Sequence, residues 1–129
     1  MPAEARSHEL ALAASRAAAD AKGQEIVALD VSERMPLTDV FVLVQGNNDR
    51  HVRSLVDAVD KAMHDEGIKL VRSEGRSEHR WVLLDYGNLV VHVQQPEDRE
   101  FYSLERLWKD CPAIPLPADL YGWAQDGAE

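Results

Sequence analysis

RWVLLDYGNLVVHV, residues 80–93, is the stretch on which the fold turns. Two apolar runs flank Gly87-Asn88, a two-residue hairpin signal in which the glycine supplies the positive φ of a type II′ turn. Such a turn pairs Tyr86 with Leu89, Leu84 with Val91 and Val82 with Val93. Strand side chains alternate, so the hairpin separates into two faces. Val82, Leu84, Tyr86, Leu89, Val91 and Val93 make one face, which reads as core. Trp81, Leu83, Asp85, Val90, His92 and Gln94 make the other, which is too polar for core and too aromatic for a plain solvated surface. Three readings of this second face stay open. A helix covers it, with His92 and Asp85 hydrogen-bonded beneath. Or it docks a partner, because Trp is enriched at binding hot spots. Or Asp85 and His92 form a catalytic pair. The register sets Asp85 opposite Val90 and His92 opposite Leu83, so the two are diagonal neighbours at best, and no nucleophile flanks them.

Working outward, residues 68–74 (IKLVRSE) read as a strand, and Gly75 to His79 as a polar loop leading into the hairpin. Before them, Val52, Leu55, Val56, Val59, Ala62 and Met63 form an i, i+3, i+4, i+7 stripe that predicts a helix from Arg50 to Glu66, stopped by Gly67. Gly46-Asn47-Asn48-Asp49 offers its N-cap. Residues 26–31 and 39–45 are near-continuous apolar runs of strand length, as in the inner strands of an α/β sheet. Met35-Pro36 keeps their connection out of helix. Residues 8–22 carry high helix propensity, with Gly23 as the stop. Pro96 opens a last helix whose apolar side is Phe101, Leu104 and Trp108. Residues 1–110 thus read as one domain and 111–129 as an extended, Pro-rich acidic tail, docked through Tyr121 and Trp123. Two consecutive strands early and a hairpin late argue for a mixed sheet.

A chain of 129 residues suits one domain, and its 45% hydrophobic content is that of a globular protein. It has no apolar run near the ~20 residues a membrane span needs and no signal peptide pattern. The single cysteine, Cys111, allows no internal disulfide and fits a cytoplasmic location. The net charge of −9 repels phosphate backbones, which argues against broad nucleic-acid binding and leaves room for a basic protein partner.

Catalytic readings lack parts. There is no phosphate-binding GxxxxGK[ST], no GxSxG, no HExxH and no CxxC. His8, His51, His64, His79 and His92 show no metal-ligand spacing, and Cys111 beside Pro112 reads as a resting thiol. No cofactor or metal is expected. QGNNDRHV (45–52) places Gly and polar residues between a strand and a helix, where backbone N–H groups can hold an anion, although a plain helix N-cap explains it better.

Laid out in this order, KGQEIVALDVSE (22–33), LTDVFVLVQGNNDRHVRSLVD (37–57) and EGRSEHRWVLLDYGNLVVHVQQPEDREFYSLERLWKD (74–110) resemble the ribosomal silencing factor family, also called Iojap or RsfS. The specific pieces are TD before the second strand, G-x-x-x-R-H-V at the helix start, W-V-L-L-D-Y-G, VVH and FY-x-L-E-x-LW. The resemblance implies a nucleotidyltransferase-like α/β fold with a mixed five-stranded sheet and three main helices. It also implies a non-enzymatic role: binding the large ribosomal subunit through its fourteenth protein, blocking the small subunit and lowering translation when nutrients are scarce. On this reading Trp81 anchors the contact, with Arg76, Asp85, His92 and Tyr102 around it. The alternative is a nucleotide-binding or nucleotidyl-transferring enzyme. Such enzymes carry a D-x-D pair on a strand, whereas here Asp57 and Asp60 fall on the predicted helix, and two-metal chemistry needs converging carboxylates. A homodimer built on the hairpin face is a third reading.

Overall fold

The computed structural model describes residues 5–117, apart from the side chains of Phe101, Tyr102 and Glu105. Elements follow in the order α1 (Ala5–Asp20), β1 (Gln24–Asp30), β2 (Val40–Gln45), α2 (Asp49–Asp65), β3 (Arg72–Glu74), β4 (Trp81–Asp85), β5 (Leu89–Gln94), α3 (Pro96–Tyr102) and α4 (Leu104–Leu107). The five strands form one sheet in the order β1-β2-β5-β4-β3. Only the β2–β5 pair is parallel; α2 and the β3–β4 segment form the crossover between them. The mixed α/β sheet expected from the resemblance is therefore the one observed.

The hairpin register is the one the turn requires. Val82 pairs with Val93, Leu84 with Val91, Leu83 with His92 and Asp85 with Val90. The Tyr86 N–H donates to the Leu89 carbonyl at 2.8 Å, and Gly87 takes φ +91°. This alternation sorts the side chains of the whole sheet. Val40, Val42, Val44, Val82, Leu84, Leu89, Val91 and Val93 pack under α1 and α2 in the main core. Leu29, Val31, Phe41, Leu43 and Val90 turn the other way into a smaller core with Leu104 and Cys111.

α2 covers the main core because Val52, Leu55, Val56, Val59 and Met63 recur at helical spacing and are all buried. The Asn48 side chain caps it, accepting from the His51 N–H at 2.9 Å. Two expected elements come out shorter. β3 spans only Arg72–Glu74, because Ile68 and Leu70 leave the helix end at Gly67 (φ +77°) to pack on the main core rather than to pair with β4. The last helix breaks at Ser103, whose left-handed backbone (φ 47°) ends α3 and starts the single turn of α4. The Ser103 hydroxyl donates to the Glu100 carbonyl at 2.7 Å, taking the place of a continued ladder.

After Lys109 the chain is extended, and it is tied to the sheet. The Asp30 N–H donates to the Pro112 carbonyl and the Ile114 N–H to the Ala28 carbonyl, each at 2.8 Å, with Ala113 bridging Leu29. Cys111 enters the smaller core while Ile114 and Leu116 enter the main one, so this segment grips the outer edge of β1 from both sides. Covering an edge in this way removes a site of strand-to-strand association. Tyr121 and Trp123 lie outside the described residues.

Candidate functional site

The second hairpin face is covered, but only in part. α3, α4 and the turn after them lie over it, placing Leu104 and Cys111 in the smaller core with Trp108 packed beside them. Arg80 at the start of β4 pairs with Asp98 of α3 at 3.0 Å, and Arg34 with Asp110 at 3.0 Å, fixing where the cover sits. Pairs this exposed contribute little energy each, so their effect is chiefly orientation. Seven residues of α3 and four of α4 are too few to close five strands. Met35, Trp81, Leu83 and Trp108 stay half-buried around the rim, and Leu107 on α4 is 67% exposed.

Beneath the rim lies His92, 5% exposed. The Trp81 indole N–H donates to its Nδ1 at 3.1 Å, across the diagonal of the β4–β5 pair. Indole is a donor only, so Nδ1 must hold the lone pair and the imidazole proton sits on Nε2. That Nε2 is buried without a hydrogen-bond partner among the described residues. Burial pushes the His92 pKa down from 6.5 to about 4, because a charged imidazolium would lose its hydration there, so the ring is neutral at physiological pH. The Phe41 ring meets His92 edge-on at 5.1 Å between centroids, and Phe41 meets Trp108 in the same manner at 5.2 Å. An unbroken run of rings thus joins Trp81 on β4 to Trp108 beyond α4.

The other residues singled out from the sequence are spread more widely. Asp85 stands four residues along β4 from Trp81, roughly 13 Å at strand rise. Its Oδ1 accepts from the Gly87 N–H at 2.8 Å and its Oδ2 from Arg72 at 3.3 Å. Asp85 therefore holds the hairpin turn and the β3 edge, and it does not bond to His92. Arg76 is exposed on the loop after β3, and its charge acts on Tyr86, which faces α2. Tyr102 closes α3, and its side chain lies outside the described residues. The structure thus brings Trp81 and His92 together and leaves Asp85 and Arg76 apart from them. Phe41 and Met35 also belong to this face and were not singled out from the sequence. Strand alternation was the signal for Phe41, which shares its face with Leu43, the partner of His92. Met35 carries no local signal, since loop geometry places it.

The strand-Gly-helix turn is explained by packing and a helix cap. A Cβ built on Gly46 would stand 2.9 Å from Val52 Cγ2 and 3.0 Å from Leu55 Cδ1, so the glycine is there to let α2 approach the sheet. Two of the nearby donors are already used: the His51 N–H by Asn48, and the Asn47 N–H by His51 Nδ1 at 2.9 Å. Burial raises the Tyr86 pKa, and so does the hydrogen bond its hydroxyl donates to Asp60 at 2.8 Å. Among the described residues no three His, Cys, Asp or Glu side chains group as metal ligands would, and no helix is long and apolar enough to cross a membrane.

Fold and face together define a small α/β protein whose distinctive surface is an aromatic rim on a half-covered sheet. The chain belongs to the ribosomal silencing factor family: the family model described as "ribosomal silencing factor during starvation" matches residues 4–127. It is similar to ribosomal silencing factor RsfS of Halalkalibacterium halodurans, 36% identical over 110 residues that cover 85% of this chain and 94% of the relative. It is also similar to a mouse protein named mitochondrial assembly of ribosomal large subunit protein 1, 33% identical over 66% of this chain and 39% of that one. Among solved structures, a crystal structure of a Chromobacterium violaceum protein superposes with a TM-score of 0.76 at 36% identity, over 78% of this chain and 84% of that one.

Proposed function

We propose that this protein represses translation by docking on the large ribosomal subunit through that subunit's fourteenth protein, so that the small subunit cannot join, chiefly under nutrient limitation. The observation that carries the reading is Trp81: a large aromatic left half-buried at the rim of an incompletely covered face, in a chain of the ribosomal silencing factor family. A rigid aromatic at the centre of a contact is the usual source of binding energy. The net charge of −9 suits a basic partner and speeds encounter with it. The name of the mouse relative, which refers to assembly of the large ribosomal subunit, supports the choice of subunit.

In this reading Trp81 is the apolar anchor. Asp85, already bridged to Arg72 at 3.3 Å, exchanges part of that pairing for an Arg or Lys of the partner. Arg76 and Tyr102 flank the contact. The test is sedimentation of purified ribosomal subunits through sucrose gradients with and without the protein. Saturating protein should deplete the joined ribosome peak and leave free large subunits carrying the protein. Unchanged joining with the protein absent from the large-subunit fractions would contradict the proposal.

A further inference from the structure

Trp81 is a bulky side chain on a rim, and a binding anchor works best when its pose is fixed before the partner arrives. His92 is placed to help fix it. His92 Nδ1 accepts the Trp81 indole N–H at 3.1 Å, and His92 itself is held edge-on by Phe41, which in turn rests on Trp108. His92 is 5% exposed, so it has almost no surface of its own to offer a partner. Its position is unusual for a core residue, since an apolar side chain would fill the site without leaving Nε2 buried and unpartnered among the described residues. The imidazole gives the site one thing that a leucine could not, an acceptor aimed at the indole.

We infer that His92 is a positioning residue: it acts through Trp81, presenting the indole in its docking pose by accepting its N–H, and does not touch the partner itself. The inference rests on the docking reading above and deepens it.

The experiment measures affinity for the purified fourteenth protein of the large subunit by wild type, His92→Leu, His92→Asn, Trp81→Ala, Trp81→Phe and the double variant His92→Leu/Trp81→Phe. Leucine restores apolar packing but removes the acceptor; asparagine packs worse but keeps an acceptor near the Nδ1 position. His92→Leu should bind roughly threefold to tenfold more weakly, the worth of one net hydrogen bond. His92→Asn should bind closer to wild type although it melts lower, so affinity and stability should rank the two variants in opposite orders. In the Trp81→Phe background, where there is no N–H to hold, His92→Leu should change nothing further. The indole N–H of Trp81, assigned in a nitrogen-15 NMR spectrum by its loss in Trp81→Phe, should exchange faster with solvent in His92→Leu. An equal loss of affinity in both Trp81 backgrounds would mean that His92 contacts the partner directly and would overturn the inference. So would normal binding by His92→Leu alongside weak binding by Trp81→Ala. Normal binding by Trp81→Ala would overturn the docking reading as well, which tells the two failures apart.

Discussion

The two faces of the sheet are built from the same strands and end up as different materials. One lies under α1 and α2, helices of 16 and 17 residues, and its buried members are apolar almost throughout. The other lies under helices of seven and four residues and carries His92, Gln94 and two half-buried tryptophan rings. Length of cover decides the difference. Where helices span the sheet, burial excludes polar groups and shape fixes every side chain. Where they do not, aromatic residues with a polar edge serve as core on one side and surface on the other. The closed face supplies stability, and in the proposed function the open face supplies the contact.

The largest expected effect tests the closed face. Leu55 is fully buried on α2, so Leu55→Ala should lower unfolding free energy by about 4 kcal/mol, read by denaturant titration. Leu83→Ala, on the open face, should cost less, because Leu83 is already partly in water. Equal losses would dissolve the distinction between the faces.

Next comes the pH dependence of the open face. The folded-state pKa of His92 is near 4, below its unfolded value of 6.5, so the unfolded chain binds the extra proton between those values. The neutral ring's contribution is fully present above pH 6.5 and is lost as pH falls toward 4. Over that window wild type should lose about 3 kcal/mol relative to His92→Leu, which has no proton to take up. Parallel stability curves for the two proteins would show that His92 is not buried as described.

A smaller effect probes how the hairpin is fastened to the closed side. Tyr86→Phe removes the 2.8 Å bond to Asp60 and should cost about 1 kcal/mol, with no effect on partner binding. Any loss of affinity would mean that the docking surface reaches round the turn to α2.

How much of this could be read in the sequence follows the same division. The register of the hairpin was legible because Gly87-Asn88 admits one turn and alternation does the rest. α2 was legible because a helix that covers a core must repeat at 3.6 residues. The sequence did not reveal the break at Ser103, where nothing local forbids helix and the stop comes from a hydroxyl bonding back to Glu100. The edge role of residues 112–114 was also hidden, since prolines marked the segment as extended without naming the strand it would meet. Alternation separated the hairpin's mixed face, but not its burial: Val90, His92 and Gln94 lie under the cover, while Trp81, Leu83 and Asp85 stay partly exposed. Its internal wiring was not legible either, because the Trp81–His92 bond joins diagonal neighbours and depends on rotamers that spacing does not specify. Phe41 and Trp108 came from elements read separately, and only the packing of α4 on the sheet places their rings in contact.

Whether the open face is a docking surface anchored by Trp81 is decided by the affinity of Trp81→Ala for the isolated fourteenth protein of the large subunit, taken together with its melting curve. The variant should melt cooperatively and bind roughly thirtyfold or more weakly, the loss of about 2 kcal/mol typical of a hot-spot aromatic. Binding at wild-type strength, or a chain that no longer folds, would show that Trp81 belongs to the core and not to an interface.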